Sequence, residues 1–340
     1  EYSVDATAPS VTINTIASDD ILNATEAQSD LAISGTSTAE AGQTVTVSLN
    51  GKNYTTTVGA NGSWTLNVPA VDLAGLTDGS VTVTASVSDK AGNPASVDHN
   101  LTVDVTVPAV TINTIAGDDV INVAEHNQAQ IISGSATGAA AGDKVTVTIG
   151  GQTYTTVLDA AGNWSVGVPA SVIAGLSDGS VTVTASVTDA AGNTGSGTHN
   201  VTVDTGLPSV GFDTLSGDNV LNAVEKGQDL NVSGTSANLA EGTLITVTLN
   251  GKQYTATTAA NGSWSLTVPA ADLTAMGEAN YTLSATATSA VGNSVSNTAN
   301  LLVDTALPTV TINTIAGDNV INASEVAAGQ TISGKVANAK

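Results

Sequence analysis

The sequence contains no cysteine, so no disulfide can staple it and no thiolate chemistry is open to it. Basic side chains are nearly as scarce: 7 Lys and Arg stand against 30 Asp and Glu, a formal net charge of −23. That balance excludes nucleic acid as a partner and docking on anionic lipid, because both need clustered cations. No segment approaches the roughly 18 consecutive apolar residues of a membrane span, so no membrane insertion is expected. The N-terminus also lacks the basic and apolar regions of a signal peptide. Three histidines form no histidine-rich metal set, and no nucleophile, base and orienting group recur together, so nothing indicates an enzyme.

What is present is a repeat. Trp64, Trp164 and Trp264 are each followed five residues later by Pro69, Pro169 and Pro269, while Asp104, Asp204 and Asp304 each precede Pro108, Pro208 and Pro308 by four. The unit is about 100 residues, the usual size of a self-sufficient domain and too long for a solenoid turn. The expected divisions are a linker or end of a preceding repeat at 1–8, full repeats at 9–104, 108–204 and 208–304, and a truncated fourth at 308–340. The chain thus reads as an excerpt from a longer array, with any secretion signal outside it.

Each unit shows alternating apolar and hydroxylated residues broken by Gly, Asn, Asp and Pro. In the first, strands are expected at 10–16, 31–36, 44–49, 53–58, 63–68, 80–88 and 95–103. Val45, Val47 and Leu49 face one way and Thr46 and Ser48 the other, so one face is core and the other solvent. Asn50-Gly51 and Asn61-Gly62 suit tight hairpins. Residues 69–79 form the longest irregular insertion, in which Leu73 and Leu76 can cap the core with a helical turn. Trp64 alternates with Leu66 and Val68 and is read as core, although an exposed tryptophan would suit a sugar. His99 and His199 fall in register with the inward residues but become Ala299 in the third unit, which argues against chemistry there. The expected fold is all-β: tandem seven-stranded immunoglobulin-like sandwiches, arranged end to end as a rod by short proline-containing linkers.

The acids concentrate in loops. IASDDILNATE at 16–26 returns as IAGDDVINVAE, LSGDNVLNAVE and IAGDNVINASE at 115–125, 215–225 and 315–325. Each offers Asp, a second Asp or Asn, an Asn and a Glu at fixed spacing, a set of hard oxygen donors suited to calcium. Lone Asp and Asn in loops are usually turn formers, but turn chemistry alone does not demand the recurring Glu. The expected pole ligands are Asp19, Asp20, Glu26 and Asp78 in the first unit, and Asp118, Asp119, Glu125 and Asp178 in the second. Asp218, Asn219, Glu225 and Glu278 follow in the third, and Asp318, Asn319 and Glu325 in the fourth. A second kind of site is expected at the junctions, where Asp104 should approach the 189–193 loop. Its members are Asp5, Asp89, Asp104, Asp189, Asp204 and Asp304. Ser289 replaces a carboxylate and Asn219 loses a charge, so calcium should bind less tightly in the third unit.

The boundary pattern VD-T-x-x-P-x-V-T-I, the ISG at 33–35, NGSW at 61–64 and D-x-A-G-N at 89–93 resemble bacterial immunoglobulin-like repeats. More narrowly they resemble those of giant non-fimbrial, type-1-secreted, calcium-binding adhesins. The resemblance implies a bound Ca2+, retention at the bacterial surface, a calcium-stiffened stalk built from neighbouring repeats, and contact with a host-cell receptor. Alternatives are that the repeats themselves hold a host glycan or protein, or that the parent joins cell to cell in a biofilm matrix.

Overall fold

The computed structural model describes residues 3–338. Glu1, Tyr2, Ala339 and Lys340, at the ends of the expected linker and fourth repeat, lie outside the described residues. By packing the chain divides into two compact units: the chain up to Val120 with Glu125–Val203, and Ile121–Ala124 with the chain from Asp204.

In the first repeat the strands are β1 (Ile21–Asn23), β2 (Leu31–Thr36), β3 (Thr44–Leu49), β4 (Lys52–Thr57), β5 (Ser63–Val68), β6 (Gly79–Ser88) and β7 (Pro94–Asp104). One sheet runs β1-β7-β6-β3-β4, and β2 pairs with β5 in the other. The expected strand at 10–16 is reduced to a Val11–Ser37 bridge, although Thr12 N and Asn14 N still donate to Thr36 O and Ser34 O at 2.8 Å. The seventh strand is instead β1, inside the stretch read as a loop. It runs parallel to the end of β7, with Asn23 opposite Asp104. Three residues carry too little periodicity for a sequence pattern to mark such a strand.

The alternation is carried into the core. Val45, Val47, Leu49, Val83, Ala85 and Val87 are all buried, as are Leu101 and Val103. The 69–79 insertion holds one helical turn, α1 (Ala70–Leu73), and Leu73 and Leu76 close the end of the core. Asp72 on α1 ties it to the β3–β4 hairpin through Lys52 Nζ at 2.5 Å and Tyr54 Oη at 2.9 Å. Asn50 and Gly51 both have positive φ, 47° and 74°, as a hairpin of opposite-handed turn geometry requires. Trp64, Trp164 and Trp264 are each only 3 % exposed, so none is a stacking platform.

The second repeat follows the same plan but keeps the first strand as well, so that Ala109–Ile112 and Asn163–Val168 flank Gln130–Thr137 and the strands number eight. Gly35 and Gly134 explain the ISG motif: a Cβ on Gly134 would lie 2.0 Å from Thr111 O and 2.5 Å from the Trp164 ring. In the second unit the third repeat pairs Ser209–Val210 and Ser263–Val268 with Leu230–Ala237, and its short Val220–Leu221 runs parallel to Ser294–Val303. Beyond it, Thr309–Ile312 and Gly334–Ala337 form a two-stranded sheet beside the helix Ala323–Ala328. Ile332 there is 68 % exposed, whereas its counterpart Ile132 is fully buried, because two strands bury no core. No helix among the described residues is long and apolar enough to cross a membrane.

Candidate metal centre

The 16–26 loop is shaped first by its own hydrogen bonds. Asp20 has φ 64°, its amide donates to Ile16 O at 2.8 Å, and its Oδ1 accepts from Ile16 N at 2.8 Å. Asp119, Asn219 and Asn319 make the same closure on Ile115, Leu215 and Ile315. The position therefore needs one acceptor oxygen, which explains why Asp and Asn interchange. Asp19, Asp118, Asp218 and Asp318 each accept from the amide two residues on, at 2.9–3.1 Å.

The recurring Glu also has a task of its own. Glu26 Oε2 accepts from Asn23 N at 3.1 Å while Asn23 Oδ1 accepts from Glu26 N at 3.0 Å. This reciprocal pair, which at Asn322 and Glu325 forms a capping box on the helix Ala323–Ala328, here closes the chain just ahead of the short helix Glu26–Gln28. Asn222 with Glu225 and Asn322 with Glu325 repeat it. Three-residue spacing between Asn and Glu is thus a capping signature as well as a donor pattern. Glu125 stands at the start of the corresponding helix Glu125–Asn127.

A histidine holds the loop to the last strand. His99 Nε2 is 2.6 Å from Asp20 Oδ1, and His199 Nε2 is 2.7 Å from Asp119 Oδ1. The Asp20 carboxyl lies below its ordinary range because of the Ile16 N–H first and His99 second. Asp119 is lowered in the same way by Ile115 N–H and His199. A depressed folded value means that this stabilisation is present above the unfolded value and is lost as pH falls through the folded one. In chelator, the parent chain should therefore lose more melting temperature between about pH 5 and pH 3 than Asp20→Asn/Asp119→Asn does, because the amides keep the closure without the titration. Equal losses in thermal melts would remove the Asp–His pairs as the cause.

Asp78 has different partners. Its Oδ1 accepts from Val105 N at 2.7 Å and its Oδ2 from the Thr106 hydroxyl, so it grips the linker just beyond Asp104. Glu278 holds Thr305 likewise. Asp178 occupies the equivalent position in the second repeat. Of the expected pole set, Asp19 and Asp20 thus bond within the loop closure and Asp78 bonds to the linker.

The linker is where carboxylates crowd. Asp104 is half-buried, and its backbone O accepts from Asn193 Nδ2 at 2.9 Å. Asn193 is 4 % exposed and also accepts, through Oδ1, from Ala24 N at 2.8 Å. Asp189 holds that amide in place by accepting from Asn193 N at 2.8 Å and Nδ2 at 3.0 Å. One buried asparagine therefore clips the linker, the loop before Glu26 and the 189–193 turn together. The Asp104 carboxyl is pushed above its ordinary value, chiefly by burial, next by the Asp189 charge and also by Asp78; only the Thr106 N–H opposes. Among the described residues no lysine or histidine forms an ion pair with any of the three.

The clip recurs. Asn93 Nδ2 donates to Asp5 O at 3.3 Å and to Asp89 Oδ2 at 2.8 Å. Asn293 donates to Asp204 O at 2.9 Å and accepts from Val123 N at 2.9 Å, with Ser289 Oγ accepting from Asn293 N at 3.2 Å. Asp304 Oδ1 accepts from Ala306 N at 3.3 Å. Sequence reasoning weighed the acids and passed over these asparagines, although the last letter of D-x-A-G-N was the available signal.

Asp104, Asp189 and Asp78 are the carboxylates that lie near one another at the linker, and they are the residues that could hold a hard cation. No three carboxylate or imidazole side chains among the described residues already stand as a ready cage, so calcium there would draw on backbone oxygens as well.

Sandwich domains joined by an ordered, acid-lined linker define a class of tandem immunoglobulin-like repeat. The bacterial Ig-like domain family matches residues 5–105, 106–205 and 215–305, and the chain belongs to it. It is 42% identical to a Ca2+-stabilized adhesin that helps an Antarctic bacterium reach out and bind ice, over 98% of this chain and 84% of that one, with a TM-score of 0.45. A 1.5-MDa bacterial ice-binding adhesin is 34% identical over 88% of this chain and 98% of its own, TM-score 0.46. A single immunoglobulin-like domain of the M. primoryensis ice-binding adhesin is 45% identical over 29% of this chain and 100% of its own, TM-score 0.25. The chain is thus homologous to the immunoglobulin-like repeat regions of bacterial adhesins. No curated protein matches it.

Proposed function

We propose that this chain is a non-enzymatic stalk segment of a secreted bacterial surface adhesin, in which Ca2+ bound at the linkers fixes successive repeats and so supports contact with a host-cell surface. The observation that carries the reading is Asp104, half-buried near Asp189 and Asp78 with its carboxyl pushed up and, among the described residues, no lysine or histidine paired to it. Such an arrangement costs stability when the carboxylates are all charged and becomes favourable when a divalent cation joins them. The related adhesin described as Ca2+-stabilized supports the same choice of metal. Extracellular calcium modules work at about 10⁻⁴–10⁻³ M, so the ions are available outside cells and not inside. Type 1 export of an unfolded, calcium-free chain would agree with that difference.

Asp104→Asn tests the assignment. A raised folded value means that this group's contribution is present at low pH and is lost as pH rises through the folded value. At pH 7 in chelator the variant is therefore expected to melt above the parent, since it removes a crowded charge but keeps an oxygen for Thr106 N. In calcium the order reverses, because a charged ligand is gone. A variant that keeps the parent's full calcium-dependent rise in melting temperature would take Asp104 out of the site.

A further inference from the structure

Asparagine is followed by glycine at four places: Asn50-Gly51, Asn61-Gly62, Asn250-Gly251 and Asn261-Gly262. Such a step carries a reaction of its own. The glycine amide nitrogen attacks the side-chain carbonyl carbon, a C–N bond forms, ammonia leaves and a five-membered imide closes. Water then opens the imide at one carbonyl or the other, leaving either aspartate or isoaspartate, in which the main chain runs through the former side chain. Glycine favours the step because no Cβ stands beside the attacking nitrogen. Water is the only co-reactant.

The fold sorts the four steps into two pairs. Asn50-Gly51 and Asn250-Gly251 are the whole of two-residue hairpin turns, bounded by the pairs Leu49–Lys52 and Leu249–Lys252. All four turn residues are exposed and have positive φ, 47° and 74° in the first hairpin and 48° and 78° in the second. Among the described residues, neither these asparagine side chains nor the Gly51 and Gly251 amides bond to another group of the protein. A Cβ built on either glycine would meet nothing within 4 Å, so the approach is open.

The other pair is held at both reacting ends. Asn61 Oδ1 accepts from Ser63 N at 3.1 Å and Ser63 Oγ at 2.7 Å, while Gly62 N donates to Gly59 O at 3.0 Å. Asn261 Oδ1 accepts from Ser263 at the same two distances, and Gly262 N donates to Ala259 O at 2.9 Å. The backbone is also crowded there, with Cβ positions on Gly62 and Gly262 lying 2.9 Å and 2.4 Å from Ser37 O and Ser236 O. Turning the amide toward the glycine nitrogen breaks these bonds before any are made. The second repeat has Gly150-Gly151 and Ala161-Gly162 at the two positions, and neither can react.

We infer that the hairpin tips at Asn50 and Asn250 are sites of spontaneous modification, where the amide becomes a carboxylate through the cyclic imide, and that the fold protects Asn61 and Asn261. Each event adds a negative charge to a chain already at −23. The isoaspartate product also inserts a carbon into the main chain of a turn with only two residues, in the β3–β4 hairpin that α1 holds through Lys52 and Asp72. No cation takes part, so the inference goes beyond the calcium reading and does not need it.

The test is to age the full chain in calcium for some days, in mildly alkaline buffer at physiological temperature. Peptide mass spectrometry follows each asparagine, and enzymatic methylation counts isoaspartate. Asn50 and Asn250 should convert roughly tenfold or more faster than Asn61 and Asn261, which must first give up two or more hydrogen bonds. In concentrated guanidinium all four should convert at similar rates, because each is followed by glycine and nothing holds them. The double variant Asn50→Gly/Asn250→Gly installs the residue that the second repeat already accommodates, so it should fold as the parent does and lose most of the isoaspartate. Equal native rates at the four sites, faster conversion at Asn61 or Asn261, a difference that persists in guanidinium, or undiminished isoaspartate in the double variant would each overturn the assignment. None of these results bears on the Asp104→Asn comparison.

Discussion

In about 10 mM calcium the chain is expected to melt about 10 to 20 °C above its temperature in excess chelator with magnesium present. The size follows from mass action. An ion that binds only the folded form at about one hundred times its dissociation constant, taken as near 10⁻⁴ M, adds about 2.7 kcal/mol per site. For a domain of about 100 residues each kcal/mol moves the midpoint by about 4–8 °C. Magnesium should substitute poorly because it demands a tight octahedron and gives up water reluctantly, whereas calcium accepts mixed carboxylate and carbonyl oxygens. The net charge of −23 acts in the same direction, since bound cations relieve repulsion among the loop carboxylates. Calorimetry in calcium, magnesium and chelator decides it. Coincident melts would return the acids to the loop-closing roles already visible in Asp20 and Glu26, and leave a metal-free array.

The second large effect is steric. Gly134 lies opposite Trp164 in one strand pair and Ile112 in the next, so its missing side chain is where the indole and the first strand meet. A Cβ there would stand 2.0 Å from a backbone oxygen and 2.5 Å from a ring carbon, and neither can move without opening the sheet or expelling the tryptophan. Gly134→Ala should therefore cost about 3 kcal/mol or more, lowering the second repeat's midpoint by at least about 12 °C. Gly167, three residues beyond Trp164 on the same strand, has nothing within 4 Å of its hypothetical Cβ. Gly167→Ala is accordingly expected to be neutral within about 0.5 kcal/mol. If both variants melt like the parent, the recurring glycine is not held by the tryptophan packing described above.

These expectations come from different depths of the molecule. Alternation in 44–49 and 80–88 placed Val45, Val47, Val83 and Ala85 in the core because side chains on a strand change face every residue, whatever the strand later pairs with. Asn50-Gly51 marked its hairpin through backbone preference alone. The inward tryptophans and the helical turn at Leu73 followed from the same local periodicity. The acid loops were legible as oxygen-rich stretches, but their internal bonds were not: Asn and Glu three apart serve a cap as readily as a cation, and spacing cannot tell the two apart.

The amino-acid sequence by itself determined that this chain is a series of all-β sandwiches, what lies inside each, and that its acids far outnumber its lysines. Only the tertiary structure decided which distant groups meet. The parallel pairing of Ile21–Asn23 with the end of the last strand, the Asp20–His99 contact and the Asn193 clip on Asp104 all join residues tens of positions apart. Local pattern reports the face a side chain takes, because that is fixed by backbone geometry. Its partner across the fold depends on how loops close and domains abut, which residues far away in the chain control.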